Sequence, residues 1–465
     1  MKKNIKYLLI PLGIIWAYQY AWLTDDCFVT FRYISNLFAG NGLVYNTGEY
    51  VEGFTHPLWL AILLPFNGSL EFASQILGLL SFGGIIYLLT RSGWLAALLV
   101  VCNAEMRVWA TGGLETMFFA FLILLSVWAT LEKKDWVGWI LLAIVLTRPD
   151  GILVAGIVLL FNWRYYKPLL LLIPFLALRY FYYGDLLPNT YYAKSGTDFI
   201  QGFYYIWIYL SVYISTFLLL IGFRFIKKKE IALPMAVIFA YLILFTARVG
   251  GDFMYARFII PVIPLIYFVI EYSLKQFKNI TLMVAVCALV FFEMNFRYNL
   301  FYDARDEHKP AFELQGVTDE QWYWSHDIGQ GFNLIDFDRL MGSEVKGLYK
   351  GEKYVLLLRS QSAFAYYLGV EQTCIMSEGL TDKYIASLPS QGRIGHQKKA
   401  PLEYINKRGI NFLFNRPSLD RYYSVELNNP RYAINLVDKD IKFQTVMEVI
   451  TIDDKVKRLF EQGGK

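Results

Sequence analysis

The chain has 465 residues, 56% of them hydrophobic and 18% charged, against about a quarter charged in soluble domains. Its net charge of +5 arises in residues 1–295, which hold 21 of the 44 Lys and Arg and 16 of the 39 Asp and Glu; the rest carries 23 of each. This imbalance excludes nucleic acid as a partner, because the positive excess sits in apolar sequence, and it predicts a membrane part followed by a water-soluble part.

A span needs about 20 mostly apolar residues. Runs of that kind lie at 5–23, 70–90, 113–131, 203–226, 231–247, 258–274 and 279–295. Shorter ones at 93–105, 136–147, 151–163 and 168–183 bring the expectation to about eleven spans. The run 57–66 is too short to cross and is expected to lie in the interface or re-enter. The opening MKKNIKYLLI has no small-residue cleavage site before the acidic pair and reads as a retained first span. With the N-terminus in the cytoplasm, inner loops collect 14 basic and four acidic residues, and outer loops seven basic and 12 acidic. Eleven spans then put the C-terminus outside, in the periplasm or its equivalent.

Every cluster with chemical character falls on the outer side: TDDCFVTFRY, VEGFTHP, NAEMRVWATGGLE, TRPDG, YGDLLPNTYYAK and ARVGGDFMYARF. After Arg297, segments such as YVLLLRS and INFLF alternate with turns and with a helical stretch at 400–408, which predicts a mixed α/β domain. The expected architecture is a polytopic α-helical membrane bundle, residues 1–295, with a first outer loop at 24–69. A soluble α/β domain at 296–465 follows it. Cys27, Cys102, Cys287 and Cys374 show no CxxC spacing and read as buried small residues.

Asp25 and Asp26 follow the first span directly, and carboxylates at a membrane boundary need water, a metal or a cation. They read either as a solvated loop start or as a catalytic base with a supporting acid. The stretch FVTFRYISNLFAG after them predicts an amphipathic interfacial helix ended by glycine, carrying Arg32. His56, beside Glu52, is the one histidine of the membrane half; it is either a structural residue or, with Asp25 and Asp26, a ligand of a divalent cation such as Mg, Mn or Ca. Arg107, Arg148, Lys194, Arg248 and Arg257 come from outer loops and suit a phosphate. The plain alternative pairs Arg107 with Glu105, Arg148 with Asp150, and Arg248 or Arg257 with Asp252.

The stretch TDDCFVTFRYISNLFAGNGLVYNTGEYVEGFTHPLW closely resembles the first outer loop of bacterial arabinofuranosyltransferase-like proteins of the GT-C superfamily, which include mycobacterial terminal β-arabinofuranosyltransferases and lipopolysaccharide-linked relatives. The likeness continues through GGLETMFFAFL, TRPDG, LPNTYYAK, GGDFMYARFIIPVIP, EGLTDKYIA and RIGHQKKAP. It implies a GT-C-like bundle, a periplasmic C-terminal domain and a polyprenyl-phosphate sugar donor. Asp25 and Asp26 match the family's catalytic acidic pair, and His56 a neighbouring position that often carries Asn or Ser. RIGHQKK fits an Arg-x-Gly-His-Glu-Lys pattern with Gln397 in place of Glu, so the resemblance carries over no carboxylate at that position.

The expected reaction is inverting transfer of a sugar, arabinofuranose by resemblance, to a cell-envelope glycan or lipopolysaccharide on the outer face of the inner membrane. One acid, preferably Asp25, takes the acceptor's proton, and arginines, a lysine or a cation stabilise the leaving phosphate. Arg393 and His396 are expected to reach the carrier or acceptor, with Lys398 and Lys399 solvated. The alternatives are a lipid-linked sugar transporter, disfavoured by one-sided charge, and a non-catalytic glycan binder.

Overall fold

Apolar runs in a medium without water must satisfy their backbone internally, so they fold as helices. The computed structural model describes residues 4–194, 198–277, 280–293, 313–326, 333–348, 351, 353–358, 360–390, 395, 398, 400–409, 412–414 and 434–436. Among these, Leu70–Ser92, Lys229–Ala247 and Ile260–Phe277 are long and apolar enough to cross a membrane. Phe199–Val212 and Ile214–Phe225 make a fourth span if counted as one. The other apolar helices, including Ile5–Tyr18, Thr116–Leu131, Val137–Thr147, Gly151–Phe161 and Thr281–Glu293, are shorter. This is the architecture of a helical membrane protein.

The run 203–226, expected as one span, bends by 100° at Tyr213. The bend exposes a new helix N-terminus inside the protein, and Glu293 answers it by accepting from the Ser215 backbone N–H and, at 2.7 Å, from its hydroxyl. Glu271 does the same for Leu95–Cys102, accepting from the Ala96 N–H at 3.0 Å. Buried acids here serve as caps for neighbouring helices, because first-turn N–H groups lack partners of their own.

In the C-terminal part, Val355–Leu358 and Phe412–Phe414, within the expected runs YVLLL and INFLF, form strands, and Leu402–Lys407 a helix. The sheet order is Thr373–Met376, Val355–Leu358, Phe412–Phe414, Ile434–Leu436; the first three strands are parallel and the last is antiparallel. Leu356 lies opposite both Cys374 and Phe412. One buried apolar cluster runs from Ala17 to Met376, so helices and sheet share a core.

The joint between them is the helix Asp25–Phe38. Thr24 caps it by accepting from the Asp26 N–H, and Gly40, at φ +82°, ends it. The helix does not present an open apolar face. The helix is buried on nearly every side, because Ser362–Leu368 lies along it in the same direction. Asp25 accepts the Ser362 and Ala363 N–H groups, each at 2.8 Å, at the start of that helix. Seven residues on, about 10 Å along the axis, Arg32 donates to Ala365, Gly369 (2.6 Å) and Gln372 (2.6 Å) carbonyls at its end, and to Tyr45. Phe28 and Phe31 pack on Tyr366 between the two. Replacing Arg32 with Met should strand at least three buried carbonyls and cost about 3 kcal/mol or more. Denaturant unfolding checks this, and an unchanged midpoint would refute the clamp.

Candidate functional site

The GGLE segment approaches the acidic helix through Gly113, whose φ of +82° suits glycine and whose missing Cβ would meet Cys27 Sγ at 2.9 Å. This brings Glu115 beneath the helix. His56 shares a 2.6 Å hydrogen bond through Nε2 with the Thr30 hydroxyl, and its Nδ1 stands 3.3 Å from Glu115. Glu115 also accepts from Arg148 at 2.9 Å, Arg148 donates to Asp150 at 3.0 Å, and Asp150 accepts the Tyr241 hydroxyl at 2.5 Å. The chain of groups is buried throughout.

Burial depresses the His56 imidazole below its usual range, although Glu115 opposes the shift. Burial likewise pushes Glu115 upward, but His56, Arg148 and Arg257 together hold it below the ordinary carboxylate range. For Arg257, burial works against the charge, and Asp252 foremost, with Asp26 and Glu115, keeps the guanidinium above its ordinary value. Glu115 and Arg257 stay charged because each has opposite partners at close range, whereas burial favours the neutral imidazole at His56.

Arg257 comes from the loop after Lys229–Ala247. Trp109 donates to the Tyr255 carbonyl at 3.1 Å, and Val317–Thr318 pairs with the same loop, Tyr255 N–H to Thr318 O at 2.9 Å. A Cβ on Gly395 would meet the Phe253 ring at 2.3 Å, so Gly395 also lies against this loop. Arg257 pairs through Nε with Asp252, and its Nη1 stands 3.9 Å from Asp26, beyond hydrogen-bond distance. Lys194 is half-buried with its Nζ 5.8 Å from the Phe253 ring centroid.

Asp26 differs from the other acids gathered here. Its side chain is 26% exposed, whereas those of Glu115, Asp150 and Asp252 are 3–4% exposed. Successive helix positions point about 100° apart. Asp25 therefore faces the C-terminal helix while Asp26 faces Arg257.

Several expected residues stand elsewhere. Arg32 is fully buried against backbone carbonyls and is not placed to hold a phosphate. Both nitrogens of His56 and both oxygens of Asp25 face protein partners, so those two and Asp26 do not form a metal ligand set. No group of three His, Cys, Asp or Glu among the described residues is arranged to hold an ion. Arg148 and Arg257 take the Asp150 and Asp252 pairings that the plain alternative assigned. Arg107 lies 3.5 Å over the Trp16 ring, and Arg248 is exposed. Arg393, His396 and Lys399 fall outside the described residues. Lys398, expected to be solvated, is buried and donates to the Leu388 carbonyl.

Glu115, Thr30, Arg179 and Tyr241 were not singled out in the sequence. Glu115 carried a usable signal, an acid immediately before an apolar helix, the same argument that selected Asp25 and Asp26.

The chain is similar to a terminal β-(1→2)-arabinofuranosyltransferase of Mycobacterium tuberculosis, 28% identical over 52% of this chain and 51% of that protein. A terminal β-(1→2)-arabinofuranosyltransferase of Corynebacterium glutamicum is 27% identical over 51% of this chain and 46% of its own length. These relatives support an arabinofuranosyltransferase-like family. The chain spans about half the length of the relatives it matches. No family model matches it, and no solved structure does. The arabinofuranosyltransferase-like likeness and the cluster around Asp26 are independent observations, one from sequence and one from geometry.

Glu52 supplies a pH dependence. Burial lifts its carboxyl from 4.5 to about 7, against the pull of Arg179 at 2.9 Å. The folded chain thus keeps a proton that the unfolded chain gives up near pH 4.5. Stability contributed by this site should fall as pH rises from about 4.5 to about 7 and level off above. Thermal melting of Glu52→Gln across pH 4.5–8 should show that slope reduced; an unaltered slope would clear Glu52 of the effect.

Proposed function

We propose that this chain is a membrane glycosyltransferase that moves arabinofuranose from a polyprenyl-phosphate donor to a cell-envelope glycan, with inversion. It works on the outer face of the bacterial inner membrane. The observation that carries the reading is the Asp26 carboxylate, open to solvent and 3.9 Å from Arg257, at the edge of a network whose other acids are closed.

Asp26 is the general base. It takes the proton from an acceptor hydroxyl as that oxygen forms its bond to the anomeric carbon. The bond from that carbon to the phosphate oxygen breaks, and its electron pair leaves with polyprenyl phosphate. That anion needs charge stabilisation rather than protonation, which Arg257 supplies together with Lys194, whose Nζ stands 5.8 Å from the Phe253 ring of the same loop. Asp252 fixes the Arg257 guanidinium from the far side, and Glu115 holds His56 and Arg148 so that the floor cannot collapse. Asp25 positions its neighbour by anchoring the helix start.

Asp26→Asn should lower transfer from a polyprenyl-phosphate arabinofuranose donor by about 10²–10⁴ with an unchanged melting temperature. Asp25→Asn should instead lower the melting temperature, since it replaces one of two paired acceptors with a donor. Near-normal turnover by Asp26→Asn would remove the base from this mechanism. Loss of turnover with unaltered stability in Asp25→Asn would return the role to Asp25.

A further inference from the structure

Among the described residues, exposed large apolar and aromatic side chains stand in two settings. On Leu172–Tyr183, Ile173, Leu178 and Phe181 project outward with apolar neighbours, as a lipid-facing surface would. Tyr384 projects from a different setting. It is 46% exposed, and its ring stacks on Tyr404 at 4.2 Å between centroids. The Tyr404 hydroxyl donates to Asp382 at 2.5 Å, and Arg408 lies 3.5 Å from the same carboxylate. Arg408 also pairs with Glu49, and both of those side chains are about one-quarter exposed. The stacked pair thus carries an exposed aromatic ring beside a guanidinium and a carboxylate that are each about one-quarter exposed.

We infer that Tyr384, with Tyr404, Arg408 and Glu49, is a docking platform for a segment of the acceptor oligosaccharide, an inference that rests on the glycosyl transfer proposed above. The C–H face of a sugar ring packs on an aromatic face, while its hydroxyls need donors and acceptors at the rim, and the platform presents both kinds. A membrane anchor would put Tyr384 among apolar side chains, and burying the Arg408–Glu49 pair in lipid would be costly. The platform is tied to the outer loops of the site. Leu380 and Thr381, just before Asp382, pack on Gly53 in the segment that carries His56, and Asn189 donates to the Gly379 and Leu380 carbonyls. A chain lying on Tyr384 is therefore held by the same framework that positions the loop carrying His56.

The full chain in detergent should bind at least one member of an immobilised panel of arabinofuranosyl, galactosyl and mannosyl oligosaccharides. Tyr384→Ala should weaken that binding about three- to tenfold, the range of one aromatic contact, while Tyr384→Phe keeps it. Both variants should melt as the wild type does, since the ring lies at the surface. In transfer assays the Ala variant should raise the acceptor KM without changing the donor KM. Absence of binding to the whole panel, equal binding by Tyr384→Ala, or a loss of vesicle partitioning in its place would overturn the platform. Oligosaccharide binding that depends on Tyr384 in a chain that transfers no sugar would leave the platform standing and remove the transferase reading.

Discussion

One helix holding another by both ends is the constraint on which this molecule depends. Asp25 and Arg32 stand two turns apart on Asp25–Phe38, and Ser362–Leu368 has the length to fit between them. The acid meets the positive end of that short helix and the guanidinium its negative end, so every contact is charge-assisted and agrees with the dipole. Remove the C-terminal helix and the acid loses the two N–H groups, and the cation the three carbonyls, that this segment supplies to their charges, which is costly. The membrane half and the sheet half are therefore one folding unit around this joint, as their shared apolar core also shows.

The joint explains why two adjacent acids have unlike surroundings. A helix turns about 100° per residue, so fixing Asp25 on Ser362 and Ala363 turns Asp26 toward the loop of Arg257. That loop is held in turn by Trp109, by Val317–Thr318 and by Gly395. Both sides of the candidate site lean on segments that come after residue 300. Beneath it, Thr30, His56, Glu115, Arg148, Asp150 and Tyr241 pair in sequence, which lets several charges stay buried in a water-poor place.

Buried acids recur as caps elsewhere. Glu271 serves the helix beginning at Leu95, and Glu293 the one beginning at Ile214. Short and bent helices multiply unsatisfied N-termini inside the protein, and a carboxylate from a neighbour is the compact remedy. The same fact limits what an isolated acid in a hydropathy plot means, since chemistry and capping both place one there.

The sequence by itself determined the helical membrane class of the molecule, the helix with its acidic start and glycine stop, and the strands Val355–Leu358 and Phe412–Phe414 within YVLLL and INFLF. These follow from local composition and period, which need no partner. The pairings Arg148–Asp150 and Arg257–Asp252 were also legible, because the partners are two and five residues apart. Only tertiary structure could set Asp25 on the Ser362 and Ala363 N–H groups and turn Asp26 toward Arg257, set Arg32 against carbonyls more than 330 residues away, or link His56 to Glu115. It also broke the run 203–226 at Tyr213, where hydropathy is continuous. Those outcomes depend on which distant helix end arrives beside a charge, and neither composition nor spacing carries that information.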